Sequence, residues 1–192
     1  MKNIALTGSI GSGKTLVCSV FEHIGIPCFN ADNHAKECYF DNEFLKQISK
    51  EFGENVVKNN VLDRNELSSI VFQDSDKLDK LNSMVHPKVL QSFSHWKKYQ
   101  SAPYVILETA ILFEIGWEKN FDKTICINSP KEISIKRAMS RDNVSRKSIE
   151  QRINSQMPIE EKIKKSDYII FHDNITMLLP QILSIHSKII AI

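Results

Sequence analysis

No stretch of this sequence holds the roughly 18 apolar residues that a helix needs to cross a bilayer. Met1-Lys2-Asn3 runs straight into Ile4-Ala5-Leu6 without a long apolar leader. A soluble, unprocessed, cytoplasmic protein is expected. Cysteine is scarce: Cys18, Cys28, Cys38 and Cys126 form no CxxC pair. That argues against a disulfide framework or a metal knuckle, and for small apolar side chains in a reducing compartment. An excess of one charge is missing too. A formal total of +2 provides no global basic field, so no nucleic-acid partner is expected and any anionic ligand must be met locally. There is no Gly/Ser linker, internal repeat or low-complexity tract, so nothing marks a tethered second domain. One folded unit of 192 residues, acting as a monomer, is the expectation.

What the chain does contain is an alternation of short apolar runs and helical patterns, the mark of an α/β fold with a parallel sheet and crossover helices. Strands are expected at residues 3–7, 26–30, 104–108, 123–128 and 167–171, enough for a five-stranded sheet with helices on both faces. The second and third are separated by about seventy residues without a strand signal, far more than a crossover needs. That excess is read as a helical insertion packed on the core. After the fourth strand, Ser129-Pro130-Lys131-Glu132 presents a cap, a proline and a glutamate in the order that opens a helix, expected to run to about Arg141.

Between the first strand and the first helix lies Gly8-Ser9-Ile10-Gly11-Ser12-Gly13-Lys14-Thr15, a full G-x4-G-K-[ST] phosphate loop in its proper context. Glycines let the backbone turn its N–H groups around a phosphate, and the helix dipole adds positive potential at the same point. Lys14 is expected to bridge the β- and γ-phosphates. The Thr15 hydroxyl is expected to ligate Mg²⁺, making MgATP the cofactor. Gly8, Gly11, Ser12, Gly13, Lys14, Thr15 and Leu16 form the expected phosphate-binding set. Average residue usage makes a chance match an event of about one chain in a hundred before context is counted. A GTPase switch would add D-x-x-G and N-K-x-D segments, and the sequence has neither.

Only five arginines occur, yet Arg137, Arg141, Arg146 and Arg152 crowd into sixteen residues. Residues 131–165 carry ten basic and five acidic side chains, a local +5 that leaves the rest near −3. Arg137 and Arg141 stand four apart on one helix face, and guanidinium forks suit phosphate oxygens. A lid over ATP would use them. A solvated, charge-laced helix pair would look the same. Asp32, just past the second strand, comes out at the sheet edge that carries the phosphate loop. There it could accept a proton, hold magnesium or cap a helix.

Taken in order, several segments resemble the dephospho-CoA kinase family over nearly the whole chain. Ile4 to Lys14 resembles its phosphate loop, and Asn30-Ala31-Asp32 its D-A-D segment. Leu62-Asp63-Arg64 with Leu67, Phe72, Leu81 and His86-Pro87 resembles its helical substrate-binding insertion. Ile111-Leu112-Phe113-Glu114 resembles its L-L-F-E run, Arg137 to Arg141 its lid arginines, and Gln156 with Ser166-Asp167 the lead into the last strand. The resemblance implies a P-loop NTPase fold of the nucleoside monophosphate kinase type, with core residues 1–30, 103–136 and 166–192. It also implies an insertion at about 31–102 and a lid at about 137–165. The implied reaction moves the γ-phosphoryl group of ATP to the ribose 3′-hydroxyl of dephospho-CoA. Asp32 would be the base, Lys14 and Arg141 would neutralise charge, and Arg64 and His86 would join Asp32 in holding the acceptor. Three residues depart from the family pattern: Asn30 for an aspartate, Ala110 for a proline and His172 for an asparagine. Glu108, an extra carboxylate near the nucleotide edge, could assist magnesium through water. The alternatives are another small-metabolite or nucleoside monophosphate kinase, and a regulator that binds ATP without transferring phosphate.

Overall fold

The computed structural model describes residues 1–71 and 73–191. Phe72, one of the residues of the insertion pattern, therefore lies outside the described residues. Two compact units divide the chain, Met1–Asn30 with Gln100–Ile192 and Ala31–Tyr99. The elements run β1 (Lys2–Gly8), α1 (Lys14–His23), β2 (Cys28–Asn30), α2 (Ala31–Glu37), α3 (Asn42–Phe52), β3 (Val57–Lys58), β4 (Val61–Leu62), α4 (Arg64–Val71) and α5 (Ser75–Lys97). They continue with β5 (Tyr104–Glu108), β6 (Lys123–Asn128), α6 (Lys131–Asp142), α7 (Arg146–Asn154), α8 (Ile159–Lys165), β7 (Tyr168–Phe171) and α9 (Leu178–Ala191).

In the first unit five parallel strands lie in the order β2-β5-β1-β6-β7. All five residues of β5 and the last five of β1 are buried, as in parallel strands covered on both faces. α1 contributes Val17, Cys18 and Phe21 to the core and α9 contributes Ile182, Ile185 and Ile189, packed with Ile4, Leu6, Ile106, Ile125 and Ile127. The sheet brings the ends of β1, β2, β5 and β6 to one edge, with Leu6 and Asn30 both in register with Glu108 and Gly8 with Ile127. All four cysteines are free thiols, Cys18 and Cys126 buried. Burial pushes the Cys126 thiol up to about 11. Among the described residues no helix is long and apolar enough to cross a membrane.

The second unit is mostly helical. Along α5 the buried residues Leu81, Val85, Val89 and Phe93 recur every four positions, a single apolar stripe, and Pro87 falls on the exposed side. Asp41 and Asp74 open α3 and α5 by accepting two backbone N–H bonds each.

Three expectations need correction. The supposedly strand-free insertion contains the antiparallel pair β3–β4, joined by Asn59 and Asn60 at φ 51° and 59°. Asparagine tolerates that left-handed geometry, which suits a two-residue hairpin, and strands this short leave no pattern to read. The cap of α6 is also one residue later than expected. Pro130 holds that position without a side-chain cap bond, and the Ser129 hydroxyl instead lies 3.4 Å from Arg137 Nη1. β2 is shorter than the five residues expected, because Pro27 has no N–H to give to a ladder.

Candidate active site

The loop between β1 and α1 closes tightly on itself, Ser12 N–H bonding to Ser9 O at 3.1 Å. Gly11 and Gly13 adopt φ of 74° and 94°, which side chains other than glycine reach only at a cost. Space forbids a side chain as well. A Cβ on Gly11 would stand 2.1 Å from Ser134 O of α6, and one on Gly13 2.3 Å from His172 Nδ1. Lys14 is buried, its ammonium donating to Gly8 O at 3.1 Å and Ser9 O at 3.2 Å. Among the described residues Ser12 Oγ is buried without a hydrogen-bond partner, as expected of a polar atom on a loop built to meet a phosphate. Leu16, at the start of α1, is 49% exposed.

Beside the loop, the Thr15 hydroxyl donates to Glu108 Oε1 at 3.2 Å, while Asn30 Nδ2 donates to Glu108 Oε2 at 2.9 Å. Glu108 is buried. The departure at Asn30 thereby acquires a physical reason: an aspartate there would set a second carboxylate against Glu108, whereas the amide donates to it.

On the other flank α6 aims Arg137 at the loop. Its guanidinium lies 3.5 Å from Ser12 O, contacts both ring nitrogens of His172 at 3.0 Å, and donates to Asn174 Oδ1. Arg141, one turn further along α6, pairs with neighbouring Asp142 through Nε at 2.7 Å and is largely exposed. Arg146 and Arg152 tie α7 to α6, the first through Glu132 at 2.6 Å and the second through Asp142 at 3.2 Å. The loop is also bonded from beyond α7, since Gln156 Oε1 accepts Ile10 N–H at 3.1 Å. A cavity of 570 Å³ opens alongside, lined by Ser9, Asn128, Lys131, Ser134, Gln156 and Met157 among others.

In the second unit Asp32 is an exposed residue in the first turn of α2, which begins at Ala31, so it stands inside the helix and not at its cap. Arg64 is exposed at the start of α4. His86 is half-buried on α5, and that burial lowers its pKa from the ordinary histidine value. A 640 Å³ cavity in this unit is lined by His34, Glu37, Asp41, Lys88 and His95 among others; Arg64 and His86 are not lining residues.

A loop of this kind serves many phosphate-transfer enzymes, and the comparisons with known proteins narrow the choice. The family model for dephospho-CoA kinase matches residues 2–177. The chain belongs to the dephospho-CoA kinase family. It is 36% identical over 168 residues to the dephospho-CoA kinase of Fusobacterium nucleatum, covering 87% of each chain. Among solved structures, the dephospho-CoA kinase from Campylobacter jejuni superposes with a TM-score of 0.68 at 30% identity, covering 98% of this chain and 97% of that one. TT1252 from Thermus thermophilus superposes with a TM-score of 0.85 at 30% identity, covering 99% and 96%.

Within this dephospho-CoA kinase frame, several neighbours of the loop could not be read from the sequence. His172 and Gln156 were visible only as positions in a family pattern, and the bonds they make to Ser12 and Ile10 span 160 and 146 residues. The partners of Glu108 were likewise hidden. The signal that existed was chemical: a charged residue closing an otherwise apolar strand needs a reason to be there.

Proposed function

We propose that this protein transfers the γ-phosphoryl group of ATP to the ribose 3′-hydroxyl of dephospho-CoA, giving CoA and ADP. The observation that carries the reading is an intact phosphate loop, packed against Arg137 and Glu108, in a chain matching the family model over residues 2–177. Loop N–H groups and the Lys14 ammonium would hold the β- and γ-phosphates, and Arg137 and Arg141 of α6 would meet the charge of the transferring group. The oxygens of Thr15 and Glu108, 3.2 Å apart, are the hard donors that Mg²⁺ prefers. Thr15 would hold the ion directly and Glu108 through water. Bound there, the ion would neutralise phosphate charge.

The base is assigned to Asp32, the second residue past β2, which would accept the proton of the attacking hydroxyl. Arg64 and His86 are assigned to the acceptor. Residues 137–165 would act as a lid that excludes water once ATP is bound.

The test is ADP release in a coupled assay with MgATP, with and without dephospho-CoA. Release that rises only when dephospho-CoA is present is the expected result. Equal release without it would leave an ATP-binding protein and overturn the transferase reading, while release driven by a different alcohol acceptor in a substrate panel would redirect it.

A further inference from the structure

The ring of His172 sits where a side chain on Gly13 would be, just behind the phosphate loop. Its backbone is pinned to the sheet, His172 N–H donating to Asn128 O at 2.8 Å, and the residue is 8% exposed. Nδ1 is 2.8 Å from Ser12 O. A carbonyl can only accept, so this shorter contact places the proton on Nδ1, and Arg137 Nη1, itself a donor 3.0 Å from Nδ1, makes no bond to that nitrogen. Nε2 is then left as an acceptor for Arg137 Nη2 at 3.0 Å, while Arg137 Nη1 makes a second, longer approach to Ser12 O at 3.5 Å. The Ser12 carbonyl is thus held from outside the loop by two donors.

The peptide bond is planar and trans, so the N–H of one residue points opposite to the carbonyl of the residue before it. Fixing Ser12 C=O outward therefore aims Gly13 N–H the other way. Gly13, at φ 94°, has no intrinsic preference that would hold this plane by itself.

We propose that His172 is a positioning residue of the nucleotide site, which by donating Nδ1–H to the Ser12 carbonyl fixes the Ser12–Gly13 peptide plane so that Gly13 N–H faces the phosphate. The inference rests on the reading of the loop as an ATP site. It attributes to His172 a contribution to nucleotide binding that is made without touching the nucleotide.

Asparagine places a donor where Nδ1 stands, and leucine has nearly the same shape without one. MgATP affinity is measured by calorimetry, without acceptor, for the wild type, His172→Asn and His172→Leu, with kcat and KM measured alongside. His172→Leu is expected to bind MgATP roughly fivefold more weakly than His172→Asn, the scale of one net hydrogen bond, with kcat changed less than about twofold. If the leucine variant melts below the assay temperature, His172→Met, also donorless and closer to the ring in volume, takes its place with the same expectation. Equal affinities for the asparagine and donorless variants would overturn the proposal, as would a loss confined to kcat. A wild-type protein that fails to bind MgATP would overturn the ATP-site reading itself, an outcome visible before any variant is compared.

Discussion

Lys14 and Asp32 carry the two residue-scale tests. The Lys14 ammonium is held against loop carbonyls by bonds of 3.1 and 3.2 Å, so a positive charge is stored where two phosphates are expected to arrive. Lys14→Ala is expected to abolish transfer, and near-normal turnover in a coupled assay would refute the role assigned to it. Asp32→Asn poses a finer question, because asparagine keeps the size and polarity of the side chain but cannot accept a proton as a base. If Asp32 is the base, ATP affinity should survive while kcat falls by roughly a hundred- to ten-thousand-fold. Wild-type turnover would shift attention to Glu108, the buried carboxylate beside Thr15.

Elements of the first unit are joined by polar contacts that sit apart from the loop. Lys162 of α8 is fully buried, its ammonium 2.7 Å from Glu114 Oε1 and 2.6 Å from Ala110 O. The same carboxylate oxygen accepts Met157 N–H at 2.8 Å. The far end of the 137–165 segment is therefore fastened to the turn after β5. Removing one member of a buried pair leaves the other charge uncompensated, so Lys162→Met is expected to cost about 3–5 kcal/mol in chemical denaturation. Adding Glu114→Leu should recover part of that loss, and strictly additive costs would argue against the pairing.

The turn after β7 offers a pH test. Asp173 accepts the backbone N–H groups of Thr176 and Ile175 and the Thr176 hydroxyl, bonds that hold its carboxyl down at about 2. A carboxyl lowered on folding stabilises the native state above its unfolded pKa of about 3.9, and that contribution is lost as pH falls through the folded value. Melting temperature should therefore drop between about pH 4 and pH 2. Asp173→Asn, which keeps an acceptor but cannot titrate, should show a shallower drop; identical slopes would show that this carboxyl does not contribute.

At the scale of the whole molecule, the parts legible in the sequence were those whose causes are local. Residues 104–108 and 123–128 are strands with the expected bounds, because short apolar runs bounded by turn residues have few other uses. The phosphate loop lies between strand and helix as its glycines require. What escaped notice depends on contacts between distant residues or on very short elements: the Ser12–His172 bond, the Glu114–Lys162 pair, and a hairpin of two-residue strands turned by two asparagines. The arginine cluster was legible as a cluster, but only the fold separates Arg137 against the loop from Arg146 and Arg152, which join two helices. If residues 137–165 close over nucleotide, protease nicking between Arg137 and Arg152 should slow on adding MgATP. Unchanged nicking at saturating nucleotide would count against closure.

The strand order has a consequence for how the chain is made. β1 is synthesised first, yet its neighbours in the sheet are β5 and β6, so Lys2 waits for Tyr104 and Gly8 for Ile127. At about 5–20 residues per second, the apolar strand that carries the phosphate loop remains unpaired for several seconds while the intervening residues emerge. Its partners also lie far along the chain, a topology that slows folding because loop closure must precede pairing. A nascent chain stopped before Lys123 lacks one side of the central strand. Such a chain should be held by chaperones and cut by proteases, whereas one extended past Phe171 has every strand of the sheet available.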